Sequence, residues 1–126
     1  MLLIINIVYN NKVIGSVGIE KYNEKELDEL SSLQGREIGY VLAKEYWNQG
    51  LMSEAVQGVI KYLFEEVNLD FIIGGFFKRN ARSKRVQEKN GFKFYKETIY
   101  ETRYGTKEES IYMILAKDEY INKNNN

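Results

Sequence analysis

Two glutamates, a serine and a glycine at a helix start are the residues whose types and settings here could do chemistry. Glu37 lies on a predicted strand, Arg36-Glu37-Ile38-Gly39-Tyr40-Val41-Leu42, and Glu20 ends the strand before it. A carboxylate at a strand end can take a proton, directly or through water. The chain has no His and no Cys. That excludes Ser-His-Asp catalysis, His and Cys metal sites, thiolate nucleophiles and disulfides, and leaves a carboxylate, a Tyr or water as base. Glu37 is the first choice and Glu20 the second. Ser83 stands in the first turn of a short predicted helix capped by Asn80. The segment Tyr46-Trp47-Asn48-Gln49-Gly50-Leu51-Met52-Ser53-Glu54-Ala55 joins a strand to an amphipathic helix. Free N–H groups and the positive dipole end at such a junction suit an anion, and Gly50 lets it approach without a Cβ in the way. No Gly-Lys-Ser/Thr follows and no G-x-G-x-x-G is present, so neither a Walker loop nor a dinucleotide fingerprint is there.

The elements that must position these residues follow from periodicity. Residues 2–9 and 13–19 read as a hairpin, with Asn10-Asn11-Lys12 as its turn. The acidic stretch 21–35 reads as a solvated surface connection with at most one helical turn. Met52, Ala55, Val56, Val59, Ile60, Leu63, Phe64 and Val67 share one face at period 3.6, which predicts a helix ended by Asn68. The run 71–77 is apolar on both faces and reads as a buried central strand. A short helix over 81–90 closes on Gly91. Two strands, 92–103 and 110–117, flank the Tyr104-Gly105-Thr106 turn, and 122–126 is a polar tail. The order β-β-β-α-β-α-β-β predicts an α/β (α+β) mixed sheet in a single domain over 1–121.

Composition bounds the function further. In 126 residues, 18 Lys+Arg balance 18 Asp+Glu, which argues against bulk attraction to nucleic acid. No apolar run reaches the ~20 residues that span a bilayer. The longest, from Leu2 to Val8, is broken by Asn6 and lacks a basic leader, so a soluble cytoplasmic protein is expected. Phe64, Phe71, Phe76 and Phe77 read as core. Trp47 reads as a lid on the first helical turn.

Three blocks together carry a resemblance: Glu37-Ile38-Gly39-Tyr40-Val41-Leu42, then the 46–55 segment, then Asn80-x-x-Ser83-x-x-Val86-x-Glu88-Lys89-Asn90-Gly91-Phe92. In this order and spacing the chain resembles the GNAT superfamily of N-acetyltransferases, nearest the RimJ/RimL branch that acetylates ribosomal protein N-termini. Two departures stand out. Asn48 occupies the place of the first loop glycine, and Asn tolerates left-handed geometry. The strand and two helices that precede the hairpin in the family have no counterpart before Leu2.

The resemblance implies acetyl-CoA as acetyl donor. Backbone N–H groups of Gln49, Gly50, Leu51, Met52 and Ser53 would hold its pyrophosphate, and the main chain of Val41 and Leu42 would pair with the pantetheine as an added strand. Asn80 would hydrogen-bond the pantetheine. Where many members carry a Tyr acid this chain has Gln87, so Ser83 is the candidate acid for the leaving thiolate. Arg79, Arg82, Lys84 and Arg85 could meet the 3′-phosphate, and Tyr100, Tyr104 and Tyr112 could line the acceptor side. Acetyl transfer to a primary amine, a protein N-terminus or a small molecule, is the first functional expectation. The alternative is a truncated, non-catalytic CoA-binding or oligomeric module. An open first hairpin, with Leu2, Leu3, Ile4, Ile5, Ile7 and Val8 exposed, predicts a homodimer.

Overall fold

The computed structural model describes residues 3–124. Its hairpin, β1 (Leu3–Tyr9) and β2 (Lys12–Glu20), turns through Asn10 and Asn11, at φ 51° and 63°. Two consecutive left-handed residues match the twist of the flanking strands, and Asn accepts that region better than most side chains. There follow β3 (Gly35–Leu42), α1 (Leu51–Glu65), β4 (Phe71–Phe77), α2 (Ala81–Lys89), β5 (Lys93–Glu101), β6 (Lys107–Ala116) and α3 (Lys117–Asn124). The six strands form one sheet in the order β1-β2-β3-β4-β6-β5. Among the described residues only β3 and β4 run parallel, joined by the α1 crossover. The expected mixed α/β sheet and its element order are found, with α3 as an addition. The expected polar tail from 122 begins inside that helix, which docks by a Phe64–Tyr120 ring stack at 5.0 Å. A lone aromatic among polar residues shows no helical period, so α3 had no signal in the sequence.

The two faces of the sheet are packed differently. On one, Met52, Val56, Val59, Ile60, Leu63 and Phe64 of α1 meet Val17, Ile38 and Ile72. Val67, expected on the same helical face, is exposed because α1 ends at Glu65 and the chain reverses at Asn68, φ 65°. On the other face, Tyr22, Leu27 and Leu30 cover Phe71, Ile73 and Tyr112. The stretch 21–35 is therefore no plain solvated loop: a 3₁₀ turn at Asp28–Leu30 pins it down, with Leu27 fully buried. Its acidic composition describes the exposed side of that turn alone.

The first hairpin is half as open as expected. Leu3, Ile4 and Val8 are exposed on the edge strand, whereas Ile5 and Ile7 pack against the core. Alternation along the strand sends Ile5 beneath the sheet, opposite the fully buried Val17. Leu2 lies outside the described residues.

One departure from regular pairing shapes the rest. β3 and β4 are in register only from Gly35↔Phe71 to Ile38↔Gly74. Beyond that point β3 continues on β2 alone, from Gly39↔Gly18 to Leu42↔Gly15, and β4 continues on β6 alone, from Gly75↔Tyr112 to Phe77↔Ser110. The two central strands thus part, and their facing edges open a wedge in the middle of the sheet. α2 sits at its mouth. Asn80 caps that helix, its side-chain oxygen accepting from Ser83 N–H at 3.1 Å. Asn80→Ala is expected to lower stability by about 1 kcal/mol and Asn80→Asp to leave it within a few tenths, since Asp caps as well as Asn. Urea denaturation of both variants checks this.

Candidate active site

Two clefts meet at the wedge. The first, about 310 Å³, is lined by Val41 and Leu42 of β3, the loop from Tyr46 to Gly50, and the first turn of α1. The loop reaches it through two left-handed residues, Asn48 at φ 62° and Gly50 at φ 76°. Asn48 therefore adopts the geometry that the expected glycine would supply. No side chain caps α1, and the first backbone donor to bond within the helix is Glu54 N–H, to the Gly50 carbonyl at 3.1 Å. The N–H groups of Leu51, Met52 and Ser53 lie ahead of it in the uncapped turn. A Cβ on Gly50 would meet nothing within 4 Å. Arg82, Arg85 and Lys89 of α2 line the opposite wall. An uncapped helix start, open space and three cations fit a polyanion such as the CoA pyrophosphate and phosphate.

The sequence-selected residues fall into this cleft unevenly. Val41, Leu42, Gly50, Leu51, Met52, Ser53 and Asn80 line it, but Gln49 does not; its side chain turns back to the Glu45 carbonyl at 3.2 Å. Ala43 N–H bonds the Ile14 carbonyl in β2, so by alternation Val41 also turns its amide groups toward β2. Tyr40 and Leu42 face the wedge instead. The Leu42 carbonyl accepts from Trp47 Nε1 at 2.8 Å, and Arg82 stacks over the Trp47 ring at 3.4 Å. Trp47, expected as a lid on the first helical turn, instead ties the loop to β3 and α2. Of the basic run, Arg79 pairs with Glu108 at 3.5 Å, and Lys84, like Arg79, is not among the lining residues.

The second cleft, about 780 Å³, lies across the wedge. Among the described residues, Glu20, Glu26, Glu37 and Glu101 line it against the single cation Lys21. Tyr100 and Tyr112 belong to its wall. Tyr104 does not: it sits in the β5–β6 turn, 82% exposed. Phe77, expected in the core, is only partly buried and lines the cleft, its ring 6.0 Å from that of Tyr100.

Glu37 occupies the floor. It faces Glu20 across the β2–β3 ladder and lies over Gly75, where a Cβ would come 3.2 Å from its carboxylate oxygen. Burial, reinforced by the charges of Glu20 and Glu26, pushes its pKa up from 4.5 to about 7. Glu26 goes the other way. Tyr112 Oη and Thr98 Oγ1 donate to its two oxygens at 2.6 and 2.7 Å and hold it below the usual carboxylate range. Two neighbouring carboxylates with divergent proton affinities make one a fixed charge and leave the other able to exchange a proton near neutrality. Glu26 escaped the sequence reading because only folding brings the 21–35 connection over β6. The spacing of Leu27 and Leu30 amid charges was the available clue.

Tyr40, Asn80 and Ser83 line both clefts. Ser83 is buried, and its hydroxyl lies 2.8 Å from Tyr40 Oη. Gln87, also buried, donates from Nε2 to the same Tyr40 oxygen at 3.3 Å.

The acetyltransferase (GNAT) domain model matches residues 2–93. The probable N-acetyltransferase YjcK of Bacillus subtilis is 46% identical over 61 residues, covering 48% of this chain and 34% of that protein. The uncharacterized N-acetyltransferase p20 of Bacillus licheniformis is 32% identical over 114 residues, 87% of this chain and 58% of its own. The chain therefore spans between about a third and three fifths of the length of these two relatives. Among solved structures, the ribosomal-protein-S5-alanine acetyltransferase from Vibrio fischeri superposes with a TM-score of 0.73 at 27% identity, over 87% of this chain and 57% of that one. The spermidine N-acetyltransferase SpeG F149A mutant from Vibrio cholerae shares the fold, with a TM-score of 0.77 at 18% identity over 98% of this chain and 69% of that one. A domain match over most of the chain, together with a parted sheet flanked by an uncapped helix start, places this protein in the GNAT acetyltransferase family.

Proposed function

We propose that this protein transfers acetyl from acetyl-CoA to a cationic primary amine at the wedge between β3 and β4. The single observation that carries the reading is the meeting of a basic cleft and an acidic cleft at a break in the sheet, with a carboxyl held at about 7 beside it. The pyrophosphate would rest on the N–H groups of Leu51, Met52 and Ser53, with Gly50 giving clearance, and the pantetheine would pair with the edge of β3 at Tyr40 and the Leu42 N–H, the Leu42 carbonyl being held by Trp47. Asn80 commits its oxygen to the helix cap and keeps its amide N–H groups for the ligand.

Glu37 would take a proton from the amine, directly or through water, as its nitrogen attacks the thioester carbon. The carbonyl oxygen would be met by a backbone N–H of β4. Lys78 N–H bonds β6, so by alternation the Phe77 N–H faces the wedge. Ser83, on the far side, would donate to the leaving sulfur. The surplus of carboxylates in the acceptor cleft favours an amine with a further positive charge, as in a polyamine or a basic protein N-terminus. The RimJ/RimL likeness and the 29%-identical putative ribosomal N-acetyltransferase YdaF of Bacillus subtilis favour the protein terminus.

CoA is expected to raise the melting temperature by several degrees, because a ligand at a hundredfold excess over Kd stabilises by about 2.7 kcal/mol. Adenosine should give no shift. Gly50→Glu should abolish the CoA shift by placing a negative charge where the phosphates lie, and differential scanning fluorimetry reads both results. An absent shift at millimolar CoA removes the reading.

Glu37→Gln has two expected effects. The acid limb of the rate profile, centred near pH 7 in the wild type, should disappear and leave a dependence on the amine's own ionisation. Stability should move the other way. The folded carboxyl keeps its proton up to about 7 while the unfolded one loses it near 4.5, so wild-type stability falls as pH rises through that window. Glu37→Gln escapes that loss and should be more stable by roughly 1–3 kcal/mol at pH 8, with no gain at pH 4. Denaturation at the two pH values measures it.

We also infer a homodimer through the β1 edge, supported by the exposed Leu3, Ile4 and Val8 on a terminal strand of the sheet. Light scattering should give twice the monomer mass, and Ile4→Lys, at a position 58% exposed, should give monomers without unfolding the chain.

A further inference from the structure

The leaving-group side of the wedge holds more than Ser83. Tyr40 stands on β3, on the face that carries Ile38 into the core, and its hydroxyl reaches α2. There it lies 2.8 Å from Ser83 Oγ, donates to the Ser83 carbonyl at 3.1 Å, and accepts from Gln87 Nε2 at 3.3 Å. The Gln87 amide is held at that spot by the sheet. It rests on Gly74, where a Cβ would come 2.4 Å from the Gln87 carbonyl oxygen. With Gln87 donating into the phenol oxygen, the phenolic hydrogen faces two acceptors on one residue, the Ser83 carbonyl at 3.1 Å and Ser83 Oγ at the shorter 2.8 Å; when it turns to Oγ, the Ser83 hydrogen can enter the wedge.

We propose that Tyr40 supplies the proton that Ser83 delivers to the departing CoA sulfur. The proposal rests on the acetyl-transfer reading of the same site. When the tetrahedral adduct collapses, the C–S bond breaks and its electron pair goes to sulfur. Sulfur takes the Ser83 hydroxyl proton, and Ser83 takes the proton of Tyr40. The phenolate is left facing the Gln87 N–H. The amine proton, taken up by Glu37 and passed through water, restores Tyr40, so amine and thioester give amide and thiol with no other reactant.

Acidity explains why the second hydroxyl matters. A thiol ionises near 8.5 and an ordinary phenol near 10, so leaving the charge on a free phenol is uphill by about thirtyfold, and on the part-buried Tyr40 by more. Leaving it on a serine alkoxide is far more costly. Burial raises the Tyr40 pKa, which keeps the group protonated at neutral pH, while its bonds to Ser83 and Gln87 pull the other way and ease the transfer. Tyr40 acts through Ser83 and is a positioning residue in that sense. The Gln87 position, which does not itself offer an acid, orients the phenol that does.

The test uses CoA itself as probe, with the bound thiol's ionisation followed by thiolate absorbance between pH 6 and 10. In the wild type, donation from Ser83 backed by Tyr40 favours the thiolate. Tyr40→Phe should raise the midpoint by about one pH unit, a tenfold change, while leaving CoA affinity within about twofold, as expected of a group that favours the departing charge over the ground state. Ser83→Ala should raise the midpoint at least as much, and adding Tyr40→Phe to it should do nothing more. Replacing Tyr40 by 3,5-difluorotyrosine keeps the hydroxyl and makes it a stronger acid, so the midpoint should fall below that of the wild type. CoA binding with a midpoint unmoved by Tyr40→Phe overturns the relay alone, as does a Tyr40→Phe effect that persists without Ser83. A wild type that binds no CoA overturns the acetyl-transfer reading, and the relay with it.

Discussion

The structure depends on a ladder that stops. β3 and β4 pair for four residues and then separate, which leaves two rows of backbone donors and acceptors facing each other across a gap inside the sheet. Such groups must find partners. Each strand is held in place by its other neighbour, β2 or β6, so the gap cannot close without breaking a longer ladder. What lies above it keeps it open: the Gln87 amide rests on bare Gly74, and the Tyr40 ring reaches past the strand edge to α2. An extended ligand able to bond like a strand would meet the needs of both edges, and in the proposed reaction its thioester would lie between Glu37 and Ser83.

Charge is sorted across the same gap. The whole chain is formally neutral, yet that zero is the sum of two opposed fields. Arg82, Arg85 and Lys89 stand on one side, and Glu20, Glu26, Glu37 and Glu101 on the other. A neutral total gave no hint of this local separation of charge. The crowding of the acidic side also acts on Glu37. Burial does most to raise the proton affinity of Glu37 toward neutral pH, and the charges of Glu20 and of Glu26, whose ionised form Tyr112 and Thr98 favour, add to it.

The sequence by itself determined the elements whose patterns are local. The 3.6 spacing from Met52 to Phe64 set α1 on its apolar face, the two-sided apolar run gave β4, and Asn80 and Gly91 bounded α2, because caps and periodicity act over a turn or two of chain. Three motif blocks in order were enough to suggest the family. Tertiary structure alone decided the contacts made at long range. Leu27 brings Glu26 to Tyr112, 86 residues away, and Tyr40 meets Ser83 across 43. It also decided which of Val41 and Leu42 turns its amides to the wedge, a matter of ladder alternation that no side chain encodes. A strand residue and a helix residue each look ordinary in their own segments. They become a site only when two strands that could have stayed paired are forced apart, and that depends on everything packed around them.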